Sequence, residues 1–191
     1  MEFCLIHHGQ VEEQGRVVDP YAPALTEAGR EESRRLAGHC RRWGVQFLCA
    51  STLLRAQQTA DIIAECLPGV LRWDLQELEE MSIDDLVGEF ITSHLISQWP
   101  PNQVRLGHER LWGRVTAALA RIEIYAHTVR LERVAIVAHR RVISLLLLNW
   151  LGLDWRSLDT LSFSIAPGAT CKVILDGSVT RFAWINCVNT D

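Results

Sequence analysis

Directly after the apolar run Phe3-Cys4-Leu5-Ile6, the sequence places His7-His8-Gly9. An imidazole held at the end of a buried strand is a competent nucleophile toward phosphorus, and a covalent intermediate splits one hard displacement into two easier ones. Taken alone, a histidine in this position is more often structural. Arg55 lies in Ser51-Thr52-Leu53-Leu54-Arg55-Ala56-Gln57-Gln58-Thr59-Ala60, in the first turns of an expected helix. Its guanidinium can clamp a phosphoryl group through two parallel hydrogen bonds, or simply be solvated. His139 closes Val134-Ala135-Ile136-Val137-Ala138; it can donate to a phosphoryl oxygen, or merely end the strand. Glu80, in Leu78-Glu79-Glu80-Met81, can protonate a departing oxygen if burial favours its neutral form. It can equally be one more solvated charge beside Glu77 and Glu79.

These side chains need elements to bring them together. Residues 3–6 read as a buried strand and Gln10 to Ala24 as a polar loop broken by Gly15, Pro20 and Pro23. Thr26 is the expected N-cap of a helix whose buried stripe includes Leu36 and Cys40. Val45 to Ala50 reads as a second strand. Ser51 or Thr52 is then expected to cap a helix carrying Leu53, Ala56, Ala60, Ile63 and Ala64. Val70 to Trp73 is a third strand, and Leu75 to Gly107 is less regular, with an inserted helical segment. A long helix is expected from about Glu109 to Val129, a strand over Val134 to Ala138, and an apolar helix to about Leu151. Leu161 to Val188 reads as short strand-like pieces with turns at Gly168 and Gly177. Strands alternating with helices predict an α/β fold: a three-layer α/β/α sandwich with a mostly parallel central sheet. His8, Arg55 and His139 each follow a strand, where open sheets of this kind hold ligands.

Composition narrows the function. With 191 residues, 48% of them apolar, the chain suits a single domain over 1–191 with a core that needs no disulfides. The formal charge of -4, with no basic tail, excludes nucleic acid as the expected partner. The cysteines Cys4, Cys40, Cys49, Cys66, Cys171 and Cys187 form no CxxC pair and read as buried, reduced thiols. Met1-Glu2-Phe3-Cys4-Leu5-Ile6 has no basic leader, and the longest apolar run, Val142 to Leu151, is too short to span a bilayer. The expectation is a cytoplasmic protein with no membrane partner. Zinc on His7-His8 is not expected, because neighbours on an extended chain point in opposite directions.

Four of these segments together resemble the histidine phosphatase (phosphoglycerate mutase-like) superfamily. Leu5-Ile6-His7-His8-Gly9-Gln10 resembles its RHG signature, Ala24-Leu25-Thr26-Glu27-Ala28-Gly29 its LTxxG turn, and Ser51 to Ala60 its S-x-L-x-R-A-x-x-T-A run. Val134 to His139 resembles the strand leading to its second histidine. The resemblance implies that His8 accepts the phosphoryl group, that Arg55 binds phosphate, and that His139 is the second pocket histidine. It implies an acidic proton donor after L-x and eight residues before a glycine. Glu80 with Gly88 fits best, and Glu77, after Leu75, is the fallback. It implies no metal and no cofactor.

The departures are as informative. His7 stands where the signature has arginine, so one phosphate ligand is replaced; a bound phosphate dianion that raises the His7 pKa would restore the charge by protonating it and favour mildly acidic pH. Arg140-Arg141 follow His139 where many relatives have small residues. Arg140 is the candidate phosphate ligand that compensates, although both arginines can equally face solvent or form salt bridges. The loop after His8 is shortened and lacks the usual asparagine, Gln14-Gly15 only faintly echoes the mutase branch, and Asp84 stands where relatives often have glycine. These changes argue against a mutase. The expected function is a metal-independent phosphatase acting on a small phosphomonoester through a phosphohistidine. The alternatives are a catalytically weakened phospho-ligand-binding or regulatory member, or a phosphoglycerate mutase. The expected site comprises catalytic His8, Glu80 and His139 with phosphate-binding His7, Arg55 and Arg140. A lid-like insertion is expected around 81–111, offering Trp99, Arg105 and His108, with Trp112 just beyond. The expected partner is a small phosphorylated substrate, and a homodimer is the candidate assembly.

Overall fold

Alternation along β1 (Glu2–His7) divides the molecule into layers. Phe3 and Leu5 enter one apolar cluster, and Cys4 and Ile6 enter the other, on the opposite face of the sheet. The computed structural model describes residues 1–12, 23–86 and 96–188. The other strands are β2 (Phe47–Ser51), β3 (Leu71–Leu75), β4 (Arg133–Ala138), β5 (Ala169–Asp176) and β6 (Val179–Val188). They form one sheet in the order β3-β2-β4-β1-β5-β6. The pairs β3/β2, β2/β4 and β4/β1 are parallel, and β5 is antiparallel to both its neighbours, so it alone runs against the rest.

Helices α1 (Glu27–Trp43) and α2 (Leu54–Glu65) cover one face, with Leu36, Cys40, Ala56, Ala60 and Ile63 packed on Cys4, Ile6, Ala135 and Val137. Helices α3 (Pro101–Thr128) and α4 (Arg140–Trp150) cover the other, with Leu111, Val115, Leu119, Val142 and Leu146 packed on Phe3, Leu5, Val134 and Ile136. Both faces are thus sealed, as near-continuous apolar parallel strands require. The fold is the expected three-layer sandwich with a mostly parallel sheet.

Local signals explain both ends of α1. The Thr26 side chain accepts from Gly29 N, capping α1. Gly44 closes that helix in the left-handed region at φ 74°.

Four expectations need correction. Helix α2 is capped by Leu53 with no side-chain hydrogen bond, not by Ser51 or Thr52. Ser51 is the last residue of β2, and Thr52 donates to Glu79 instead. Helix α3 begins at Pro101 rather than Glu109. Proline at the first position lacks only an N–H that a helix start leaves unpaired anyway. Residues 101–111 of the expected lid are therefore turns of α3, and 87–95 lie outside the described residues. Leu161–Val188 is dominated by one long hairpin, β5 and β6, rather than by short pieces. Finally, all six cysteines are free, but Cys66 and Cys187 are exposed. Among the described residues no helix is long and apolar enough to cross a membrane.

Candidate active site

Read across the sheet in the order β3, β2, β4, β1, the four parallel strands end in Leu75, Ser51, Ala138 and His7. Just beyond those ends lie Glu80, Arg55, His139 and His8. Register puts His7 opposite Ala138, so the chain continuing from each strand delivers His8 and His139 side by side. Their rings are 5.1 Å apart, centroid to centroid.

Backbone contact fixes the turn that carries His8. A Cβ on Gly9 would meet Gly29 O at 2.3 Å, and one on Gly29 would meet Gln10 O at 2.1 Å, so both must be glycine for the chain to lie against α1. Gly9 N donates to Thr59 Oγ1 at 3.1 Å, and Thr59 Oγ1 donates to Arg55 O at 2.9 Å. Thr26 N donates to Gln10 O. Three separated motifs thus hold one loop.

Hydrogen bonds assign the tautomers. His8 Nδ1 lies 2.8 Å from Gly9 O, so it carries the proton, and Nε2 presents its lone pair to Arg55 Nε at 3.0 Å. Burial holds the His8 pKa well below its usual value, helped by the His7 ring and the Arg55 charge. Its Nε2 is therefore unprotonated at neutral pH. His139 Nε2 meets Ser51 Oγ at 2.8 Å, and that oxygen also accepts from Leu53 N; with Ser51 as the donor to Nε2, the His139 proton sits on Nδ1. That Nδ1 is the only buried side-chain polar atom among the described residues with no partner. An orphaned buried polar atom is costly unless a partner arrives. Burial and then the Arg55 charge keep His139 neutral as well.

The Glu80 carboxylate is held differently. Glu80 Oε1 accepts from Met81 N at 2.9 Å and lies 3.8 Å from Arg141 Nη1; Oε2 is 3.5 Å from Arg141 N. Its backbone is gripped by Arg114, whose guanidinium donates to the carbonyls of Glu77, Glu79 and Glu80 at 2.9, 2.7 and 3.1 Å. The same guanidinium makes two bonds to the buried Asp85 carboxylate, at 3.0 and 3.1 Å. Asp85 Oδ2 also accepts from Ser82 N. One arginine on α3 therefore fixes the whole 77–85 turn. Burial lowers the Arg55 pKa, and Glu80 and Glu79 are the acids whose charges oppose that. Glu77 instead pairs with Arg121.

The model of the histidine phosphatase superfamily (branch 1) matches residues 3–188. The chain belongs to that superfamily. A curated relative, the probable phosphoglycerate mutase GpmB of Enterobacter sp. (strain 638), is 30% identical over 98 residues. That match covers 47% of this chain and 46% of the relative, about half the length of each. Among solved structures, the alpha-ribazole phosphatase of Shigella flexneri superposes with a TM-score of 0.74 at 21% identity, covering 98% of this chain and 96% of that one. A phosphoserine phosphatase of Entamoeba histolytica gives 0.71 at 16% identity, covering 98% and 97%. Both share the fold.

Against this histidine phosphatase frame, the remaining expected residues separate. His7 is brought to the site, its ring 4.5 Å from that of His8. Its Nδ1 faces Ile165 O at 3.1 Å, and burial pushes its pKa down to about 4, with the Arg140 and Arg55 charges adding to the effect. At rest it is neutral, and its remaining nitrogen has no proton to offer a phosphoryl oxygen. The expected cationic His7 concerned the phosphate-bound site, and the resting site holds the ring neutral. Arg140 is exposed, with its charge felt at His7; Arg141 turns to Glu80. Trp99 is buried in the core and Trp112 packs against it, so neither serves as a substrate platform. Arg105 pairs with Asp159 at 3.8 Å. His108 is partly buried, within reach of the Arg141 and Glu80 charges. Gln14-Gly15 and Gly88 lie outside the described residues. The sequence reading missed the roles of Ser51, Thr59, Asp85 and Arg114. Ser51 and Thr59 were inside a quoted motif; the Arg114–Asp85 pair gave no local signal, since its members lie 29 residues apart.

Proposed function

We propose that the chain is a metal-independent phosphomonoester hydrolase that works through a phosphohistidine on His8. The observation that carries this reading is the His8 tautomer: Nδ1–H is tied to Gly9 O, and the Nε2 lone pair points at the Arg55 guanidinium. An entering phosphoryl group takes over the Arg55 hydrogen bond and releases that lone pair. His8 Nε2 then attacks phosphorus in line as the ester P–O bond breaks. Arg55 and the unpartnered His139 Nδ1–H stabilise charge on the equatorial oxygens. Glu80 gives its proton to the leaving oxygen. In the second half, Glu80 takes a proton from water, the water oxygen bonds to phosphorus, and the N–P bond breaks to regenerate neutral His8 and free phosphate.

Arg140 lends positive charge to the phosphoryl end, and His7 joins it when the bound dianion supplies the charge that favours its protonation. The substrate is a small phosphomonoester, with neither nucleic acid nor membrane as a partner, and free cysteines suit a cytoplasmic location. The second reading, a catalytically weakened phospho-ligand-binding member, is favoured by one observation, the neutral His7 in place of a permanent cation.

Hydrolysis of p-nitrophenyl phosphate by wild type and His8→Ala, without added metal, tests the choice. Turnover that depends on His8 supports the hydrolase. Equal inertness of the two folded proteins, with phosphate still bound, supports the binding member.

A further inference from the structure

The arginines around the site differ in how fully they are engaged. Arg55 donates to His8 and Arg114 makes five hydrogen bonds to the acid turn and Asp85. Arg121 is paired with Glu77 and Arg105 with Asp159. Arg141 is held as loosely as Arg105, but beside Glu80. Its head group meets Glu80 only at 3.8 Å, beyond hydrogen-bond length, and its side chain is 30% exposed. It also stands at the other end of the site from Arg140, whose charge reaches His7. Arg141 shares its surroundings with Glu80 and His108.

Place follows from chemistry. In the hydrolase reading, on which this inference rests, Glu80 touches the oxygen that leaves, so a group within 4 Å of the Glu80 carboxylate lies beside the rest of the leaving group. A guanidinium there, held by one long ion pair, has donors to spare in a planar fork that matches a carboxylate. A neutral leaving group would cover that cation without pairing it, and a cationic one would be repelled.

We propose that Arg141 is a specificity-determining residue that selects phosphomonoesters whose leaving group carries its own negative charge, a carboxylate a few bonds from the ester oxygen. Arg141 swings from Glu80 to the substrate carboxylate, and Glu80 is left to serve the ester oxygen. His108 flanks the same subsite.

Three small esters of similar size test this: phosphoglycolate (anionic), propyl phosphate (neutral) and phosphoethanolamine (cationic). Wild type is expected to prefer phosphoglycolate over propyl phosphate in kcat/KM by about tenfold to a hundredfold, the range for one hydrogen-bonded charge pair. Arg141→Ala is expected to collapse that ratio chiefly through KM for phosphoglycolate, Arg141→Lys to retain part of it, and Arg141→Glu to turn the preference toward phosphoethanolamine. A ratio near one in wild type, or a ratio unmoved in Arg141→Ala and Arg141→Lys, overturns the inference while His8-dependent hydrolysis continues. Loss of the hydrolase reading looks different: none of the three esters is turned over in a His8-dependent way.

Discussion

In the proposed hydrolase, the phosphoryl half and the leaving-group half of the site are built by different means. His7, His8 and His139 are positioned by the sheet itself, at the ends of two hydrogen-bonded strands, and their pKa values fall because that position is buried. Glu80 sits in a turn of short 3-10 pieces held by a guanidinium reaching across from α3. The first half depends on backbone register and two glycines in contact. The second depends on one buried ion pair, Arg114 with Asp85, and on carbonyls that would otherwise need water. A sheet-built half tolerates surface change and fails through its glycines. A clamp-built half fails when a single distant side chain is lost.

The comparison can be broken in four places, beginning with the largest effect. His8→Ala is expected to lower kcat by about 10⁴-fold or more on any phosphomonoester, measured in steady state. Equal losses for His7→Ala and His8→Ala would remove the distinction between nucleophile and neighbour. Arg114→Ala leaves the Asp85 carboxylate buried without its partner, and urea denaturation should register a loss of about 3 kcal/mol. The same variant should lose roughly a hundredfold in kcat on propyl phosphate but far less on p-nitrophenyl phosphate, whose leaving oxygen needs little protonation. A uniform loss on both esters would mean that Arg114 supports the fold without positioning the acid.

The third place is the burial of the histidines. His7 stays neutral in the folded chain down to about pH 4, whereas the unfolded chain takes up that proton near 6.5. Between those values the unfolded state binds more protons, so stability falls as pH drops and levels off below about 4. From pH 7.5 to pH 5 the loss from His7 alone is about 2 kcal/mol. His8 and His139, shifted the same way, add to it. Urea unfolding at the two pH values checks this; identical midpoints would show the three rings to be hydrated. The smallest effect concerns the replaced signature residue. His7→Arg supplies a permanent cation and is expected to raise kcat/KM by about tenfold. A fall would show that the neutral ring and its bond to Ile165 O are needed.

Legibility followed the same division. The strand over residues 3–6, the Thr26 cap and the strand ending at His139 were readable because apolar runs and caps are local signals. The histidines and Arg55 were readable because each follows a strand end. What was hidden depended on distant partners. Gly107 read as the end of an irregular stretch, yet it lies inside α3, where a Cβ would meet Met81 Sδ at 2.7 Å. Helix α3 therefore started earlier than its spacing suggested. The Arg114–Asp85 pair joins residues 29 apart, and no period or motif announces it. The neutral state of His7 arises from burial near Arg140 and Arg55, which two adjacent letters could not reveal.

The central claim is a covalent bond between His8 Nε2 and phosphorus. Mixing enzyme with excess phosphomonoester, quenching in alkali within the first turnover and mapping the digest by mass spectrometry tests it directly. A phosphoryl group, stable in alkali and labile in acid, is expected on the peptide containing His8, and none in His8→Ala. Turnover of wild type with that peptide unmodified throughout the first turnover would contradict it.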